Sequence, residues 1–218
     1  MSAIAIGGAD ILGVIDVQPT FMPGGALAVA DGAAVVAVIN RLLCGPFAHA
    51  FATQDWHPPG HASFASSHAR APFETVELPY GTQVLWPDHA VQCSAEAELH
   101  RGLDTARLEA VIRKGFHPEI DSYSAFFEND RTTPTGLDGY LRARGFRRIF
   151  FAGLALDFCV AWSAEDAARI GYEAFVITDA CRGIGLPTGE GKTTMDMARA
   201  RLAALGVGFV RSEELLAP

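Results

Sequence analysis

The chain has 218 residues, of which 50% are hydrophobic and 19% are charged, with a formal net charge of −8. This composition is typical of a folded protein with a sizeable core and argues against intrinsic disorder. The sequence contains no basic block, so it predicts neither a nucleic-acid partner nor binding to an anionic membrane.

Strand-like and helix-like segments alternate through the first half of the chain. Ala9–Val17 reads as a buried strand, Ala30–Cys44 as a helix that ends at a Gly-Pro pair, and His49–Thr53 as a second strand. The segment from Asp55 to Cys93 then breaks the pattern, because it is rich in Pro and His and has little helical period. A loop of this length inside a compact domain usually has a function.

The same alternation continues to the end of the chain. Three further strands, two helices and a short last strand are predicted, in the order Leu108–Arg113, Arg148–Gly153, a helix from Cys159 to about Ile170, Ala174–Thr178, a helix at Thr193–Leu205, and Val207–Val210. Strands rich in Val, Ile and Phe that alternate with helices indicate a parallel sheet covered on both faces. The sequence therefore predicts one α/β domain over residues 1–218, a Rossmann-like three-layer α/β/α fold around a mostly parallel sheet of about six strands.

The cellular setting is inferred from features that the sequence lacks. The start, MSAIAIGGADIL, has neither the basic residues nor the long apolar core of a secretory signal, and no apolar run is long enough to span a membrane. The four cysteines are far apart and form no CxxC pair, which favours free thiols in a reducing compartment. We therefore expect a cytoplasmic protein with no membrane partner, while a homo-oligomer remains possible.

Chemically active residues follow four of the predicted strands. They are Asp16 after the first strand, Asp55 and His57 after the second, Lys114 after the third, and Cys159 shortly after the fourth. Because the carboxyl ends of parallel strands lie at one edge of a sheet, we expect these side chains to meet there.

Cys159, Asp16 and Lys114 together could carry out acyl transfer. A free Cys is commonly a buried structural residue, but Cys159 lies where a helix is predicted to begin, and a helix N-terminus favours the reactive thiolate. The backbone N–H groups there could also stabilise an oxyanion. Asp16 could take the thiol proton and pass it to the leaving group, while Lys114 holds the carboxylate and stabilises the thiolate.

A carboxylate and several imidazoles are concentrated in the irregular segment. Asp55, His57 and His61 lie within DWHPPGH, and His89 follows in WPDHAVQC. Any one of these histidines alone would be read as a surface residue. Together they form a nitrogen and oxygen donor set suited to one divalent ion, Zn²⁺, Fe²⁺ or Mn²⁺, with positions left open for water or a substrate nitrogen.

Five segments resemble the isochorismatase-like cysteine hydrolase family, most of all its nicotinamidase/pyrazinamidase branch. The resemblance covers almost the whole chain and is carried by IDVQPTFMPGGAL (15–27), TQDWHPPGHASF (53–64), GTQVLWPDHAVQ (81–92), RKGFHPEIDSYSAFF (113–127) and FAGLALDFCVAWSAEDA (151–167). It implies a catalytic triad of Asp16, Lys114 and Cys159. It also implies the metal ligands Asp55, His57 and His89, with His61 a ligand in some members.

The resemblance further implies how a substrate is held. Phe21, Trp86 and Tyr123 would enclose an aromatic ring, although aromatic residues more commonly serve packing. A cis peptide bond just before Ala155 is expected, and the Ala155 N–H would face the substrate oxygen together with that of Cys159.

The function implied is hydrolysis of nicotinamide, and of pyrazinamide, to the acid and ammonia in NAD salvage. The reaction would pass through a Cys159 thioester, and the metal ion would position the pyridine ring. Three alternatives stay open: a family member that acts on another small amide, hydrolysis by a metal-bound hydroxide with Cys159 structural, and a binding protein without catalysis.

Overall fold

The computed structural model describes residues 4–189 and 191–216. Its strands in chain order are β1 (Asp10–Ile15), β2 (Ala50–Asp55), β3 (Thr75–Leu78), β4 (Gly81–Val84), β5 (Ala110–Lys114), β6 (Arg148–Gly153), β7 (Glu173–Cys181), β8 (Pro187–Gly189), β9 (Lys192–Thr193) and β10 (Gly208–Val210). The α-helices are α1 (Ala34–Cys44), α2 (Leu137–Arg144), α3 (Ala161–Arg169), α4 (Thr194–Ala204) and α5 (Ser212–Leu215).

Six strands form one parallel sheet in the order β10-β7-β6-β1-β2-β5. Every residue of β1 and β2 is buried, as expected for strands that are covered on both faces. Helices α1 and α5 contact each other, α3 and α4 contact each other, and both α1 and α3 pack on β7. The predicted three-layer α/β/α fold with a six-stranded sheet is confirmed.

The strand order reverses direction between β1 and β6. From β1 the chain continues to β2 and β5 on one side, whereas β6, β7 and β10 extend the sheet on the other side. Ligands of open α/β sheets bind at this kind of switch point, outside the carboxyl ends of the strands. Asp16 follows β1 and the turn before Cys159 follows β6, so both lie beside this crevice.

Several predicted boundaries differ from the structure, and two of the differences have a clear physical reason. Helix α1 begins at Ala34, four residues after the predicted start, because Asp31 has a φ of 54° and forms a turn with Ala34. Strand β7 extends to Cys181, beyond the predicted end at Thr178, because its pairing with β6 shifts register and continues to Gly153.

The sequence analysis missed several elements. The segment from Asp55 to Cys93 contains an antiparallel hairpin, β3–β4, whose two connecting residues are Pro79 and Tyr80. Helix α2 also went unpredicted, because it has only eight residues and a glycine inside it. Within residues 4–189 and 191–216, no helix combines the length and the apolar character that crossing a bilayer requires.

Candidate active site

Asp16 is held by its neighbour on the next strand. It adopts a left-handed conformation with a φ of 48°, which Asp tolerates better than most residues. Its backbone N–H donates to Thr53 Oγ1 at 3.0 Å, and the Thr53 hydroxyl donates to Asp16 Oδ1 at 2.5 Å. The reciprocal pair fixes the carboxylate, leaving Oδ2 free to face other groups.

Lys114 lies at the centre of the site and is completely buried. Its Nζ is 2.8 Å from Asp16 Oδ2, 2.6 Å from Asp55 Oδ1 and 2.9 Å from the Ser122 carbonyl oxygen. The Cys159 Sγ is 3.4 Å away. A buried ammonium is stable only when paired, and here two carboxylates pair with it. The structure thus brings Asp16, Lys114 and Cys159 together.

Cys159 lies in a turn of π-helix, Leu156–Val160, that leads into α3. The prediction that a helix begins at Cys159 is therefore wrong by three residues. The peptide bond between Leu154 and Ala155 is cis, as the family resemblance implies. The Ser163 hydroxyl donates to the Cys159 carbonyl oxygen at 2.6 Å and ties this turn to the first turn of α3.

Burial has the largest effect on the pKa of the Cys159 thiol. Burial, together with Asp16 and Asp55, raises the pKa of the Cys159 thiol well above its usual value, although Lys114 acts in the opposite direction. Burial alone would lower the pKa of Lys114, but Asp16 and Asp55 outweigh it and hold this pKa well above normal. Because its pKa is raised, the Cys159 thiol needs a base to become a nucleophile.

Asp16 is the carboxylate in position to be that base. Burial raises its pKa and Lys114 lowers it, with a net increase over an ordinary Asp. Burial would raise the pKa of Asp55, but Lys114 and His57 outweigh burial and hold this pKa well below its usual value. The two carboxylates beside one ammonium therefore differ: Asp55 is a firmly ionised anion, and Asp16 binds a proton more readily.

Asp55, His57 and His89 bring three buried ligand atoms within 4.8 Å of one another. Asp55 Oδ2 is 3.4 Å from Nε2 of each histidine. His57 Nδ1 lies 2.8 Å from the Gly115 carbonyl oxygen, and His89 Nδ1 lies 2.8 Å from that of Pro87. A carbonyl only accepts, so Nδ1 of each ring carries the proton and Nε2 presents its lone pair.

This cluster fits a divalent metal ion. His57 Nε2 is buried and has no hydrogen-bond partner among the described residues, which is costly unless a further ligand is bound. Two imidazoles and a carboxylate suit zinc, iron or manganese. The carbonyl groups behind both histidines orient the rings as the outer partners of metal sites commonly do.

His61 is not in this group of ligand atoms, although its ring centroid lies 4.3 Å from that of His57. Its Nδ1 accepts from the Ser63 N–H at 3.2 Å, and its Nε2 faces the Ile120 carbonyl oxygen at 3.3 Å. Its ring belongs instead to a second group of possible ligands, with His57 and Asp121. Burial, and then His57, lower the pKa of His61 to about 4, so the ring is neutral.

A small cavity lies between the metal cluster and Cys159. The predicted substrate-binding residues Phe21, Trp86, Tyr123 and Ala155 all line it. The Tyr123 hydroxyl accepts from Trp86 Nε1 at 3.1 Å, which fixes the two rings edge to face. Aromatic walls, a thiol and a polar cluster in one space suit a flat, single-ring ligand.

Sequence reasoning missed several residues of this site. The Thr53 hydroxyl donates a hydrogen bond to Asp16. The Gln18 side-chain amide binds the backbone of Asp55, because its Nε2 donates to the Asp55 carbonyl oxygen and its Oε1 accepts from the Asp55 N–H. Thr53 could have been found, since it lies two residues before Asp55 and so shares its face of β2. Further lining residues to which the sequence analysis assigned no role are Leu27, Asp121, Phe158 and Ile184.

Comparison with known proteins places this architecture in a family. Residues 10–207 match the model of the Isochorismatase domain, and the chain belongs to the isochorismatase family. Among its relatives, a nicotinamidase of Acinetobacter baylyi is 48% identical over 205 residues, which cover 93% of this chain and 92% of the relative.

Two solved structures extend the comparison. An Acinetobacter baumanii nicotinamidase and pyrazinamidase superimposes with a TM-score of 0.91 at 47% identity, covering 95% of this chain and 98% of the other. A pyrazinamidase of Pyrococcus horikoshii in complex with zinc has a TM-score of 0.71 at 29% identity, covering 93% of this chain and 99% of the other.

Proposed function

We propose that this protein is a nicotinamidase, which hydrolyses nicotinamide to nicotinate and ammonia and acts in NAD salvage. The observation that carries the proposal is the cluster of Asp16, Lys114 and Cys159 at the wall of a cavity for one aromatic ring. The 48% identity to a nicotinamidase over 93% of the chain supports the choice of amide. Pyrazinamide, a similar one-ring amide, is expected to be a second substrate.

The substrate ring would lie among Phe21, Trp86 and Tyr123, with its carboxamide against Cys159. Asp55, His57 and His89 would hold one divalent ion, Zn, Fe or Mn. When bound, such an ion supplies a Lewis acid that can orient the pyridine nitrogen. A pyrazinamidase relative solved with zinc supports this assignment. The aromatic walls exclude water and hold the amide carbon near the sulfur.

The first half of the reaction forms a thioester. Asp16 accepts the thiol proton while the sulfur attacks the amide carbon, and the Ala155 and Cys159 N–H groups stabilise the oxyanion. Asp16 then gives this proton to the amide nitrogen, the C–N bond breaks, and ammonia leaves. Lys114 stays charged and offsets the negative charge that moves between Asp16 and the sulfur.

The second half releases the acid. Asp16, again ionised, takes a proton from water as the oxygen attacks the thioester carbon. The C–S bond then breaks, the sulfur recovers its proton from Asp16, and the carboxylic acid that is formed gives its remaining proton to solvent to become nicotinate. Each proton that Asp16 accepts is returned within the same half-reaction, which suits a buried carboxyl with a raised pKa.

Ammonia release from a panel of amides, with and without a chelator, tests the proposal. We expect nicotinamide and pyrazinamide to be preferred over aliphatic amides, and activity to fall when the metal is removed. Equal turnover of aliphatic amides would contradict it and favour a family member that acts on another small amide.

A further inference from the structure

A second, larger cavity adjoins the catalytic cavity. It has space for about 370 Å³ of water, against about 20 Å³ in the catalytic cavity. Within residues 4–189 and 191–216, Tyr123 and Phe158 are the side chains that line both spaces. These two side chains therefore form the partition between the catalytic cavity and this outer cavity.

The two halves of the partition are held in different ways. The Tyr123 hydroxyl accepts hydrogen bonds from Trp86 Nε1 at 3.1 Å and from Gln83 Nε2 at 2.9 Å, so its position is fixed. Phe158 is held by ring packing, with centroids 4.9 Å from Trp86 and 5.5 Å from Tyr123. Removing the Phe158 ring opens the partition without leaving a polar group unpaired, whereas removing Tyr123 would take away the acceptor of the buried Trp86 Nε1–H.

The outer cavity suits an uncharged aromatic group. Its apolar walls come from Tyr80, Val84, Trp162 and Met197. Its charged residues already have partners: Arg201 Nε donates to Glu165 at 2.7 Å, and Asp157 accepts from the Ile184 and Gly185 N–H groups. Because both charges are already paired, the outer cavity does not favour a charged ligand. A space of this size accommodates a second ring.

We propose that Phe158 determines substrate size in this enzyme. Its ring closes the catalytic cavity against the outer cavity and so restricts the substrate to amides of a single aromatic ring. With the ring removed, two-ring amides bind with the second ring in the outer cavity. The proposal rests on the proposed function, because it takes the catalytic cavity to be the place where an aromatic amide is hydrolysed.

The test compares the wild-type enzyme with Phe158→Ala on nicotinamide and on 4-, 5- and 6-phenylnicotinamide. Wild type is expected to hydrolyse nicotinamide and to exclude all three phenyl derivatives. In the variant, kcat/KM for at least one derivative should rise by about 10- to 100-fold, the range that a change in pocket size produces. The KM for nicotinamide should increase, because its ring loses one wall.

Two further variants show whether the outer cavity is responsible. Met197 is 42% exposed and lines the outer cavity but not the catalytic cavity. Met197→Ala should therefore leave nicotinamide turnover unchanged and should not raise kcat/KM for the phenyl derivatives. Adding Met197→Trp to Phe158→Ala should fill the outer cavity and cancel the gain. Should Phe158→Ala fail to fold, Phe158→Leu and Phe158→Val replace it, with the larger gain expected for Val.

Failure of this proposal is separable from failure of the proposed function. Wild-type turnover of nicotinamide tests the function, and calorimetric binding of the matching phenylnicotinates tests the partition whether or not turnover is found. The partition is overturned if wild type accepts the phenyl compounds as readily as the parent compound. It is also overturned if a folded Phe158 variant gains neither turnover nor binding.

Discussion

At the scale of single residues, Lys114 links the two halves of the site. Asp55 uses one carboxylate oxygen for Lys114 and turns the other towards His57 and His89, while Asp16 faces Lys114 from the opposite side. The ammonium therefore connects a proposed metal ligand with the proposed catalytic base. Because Lys114 is fully buried between two carboxylates, its charge is permanent, and proton transfer falls to Asp16 and Cys159.

Thr53 positions the base, and its removal should slow catalysis. Thr53→Val keeps the shape of the side chain but loses the hydroxyl that binds Asp16 in both directions. A lost hydrogen bond to a charged group costs about 1.5–3 kcal/mol, so we expect kcat to fall by about 10- to 100-fold with little change in KM. Thr53→Ser retains the hydroxyl and should recover most of the rate. A Val variant with wild-type kcat and normal metal content would contradict this role.

The pH dependence should reflect the raised pKa of Asp16. Asp16 must be ionised to accept the thiol proton, so activity is lost as the pH falls through its pKa. Because burial raises that pKa above the ordinary value of 3.8, the acid limb of kcat/KM should have its midpoint above pH 3.8. Metal content, measured at each pH, controls for loss of the ion. A rate that stays constant down to pH 3.8 with metal bound would exclude Asp16 as the base.

At the scale of elements, the turn that follows β5 shapes the metal cluster. Gly115 has a φ of 66°, and its carbonyl oxygen accepts from His57 Nδ1. A Cβ at this position would lie 2.4 Å from His57 Cε1, so no larger residue fits without moving the ring. One glycine at the end of a strand therefore orients an imidazole that comes from another loop.

Gly115→Ala should weaken metal binding. The new methyl group displaces His57, and disturbing the partners that orient a ligand typically costs about 10- to 100-fold in metal affinity. Gly60→Ala is the matched control, because Gly60 also has a positive φ, of 74°, but a Cβ added there would meet nothing within 4 Å. Metal titration of both variants measures the effect. Equal affinities for Gly115→Ala and wild type would show that the contact is unimportant.

Sequence periodicity revealed the elements of the sheet and not the details that shape the site. Buried strands such as β6 are continuous apolar runs, so their positions follow from composition alone. The hairpin β3–β4 is exposed and short, and its residues carry no comparable signal. Asp16, Asp55 and Lys114 could be grouped from the sequence because they lie at or just after strand ends. The roles of Phe158 and Thr53 depend on contacts between distant segments, which periodicity does not encode.

At the scale of the whole molecule, the site exists because the sheet gathers distant parts of the chain. Asp16, Asp55 and Lys114 come at or just after the ends of β1, β2 and β5, which are neighbours in the sheet. Cys159 follows β6, on the other side of the switch point. Residues that are up to 143 positions apart in sequence thereby come within hydrogen-bond distance of a single Lys114 ammonium. A thiol, an acid and an amine arranged in this way support the proposed hydrolysis through a covalent intermediate.

The most direct test of this account is ammonia release from nicotinamide by Cys159→Ala, with metal content measured in the same sample. We predict that the variant binds metal as wild type does and that kcat falls by about 10⁴-fold or more, the usual loss on removing a nucleophile. Turnover near the wild-type rate with metal bound would contradict thiol chemistry and assign the reaction to a metal-bound hydroxide.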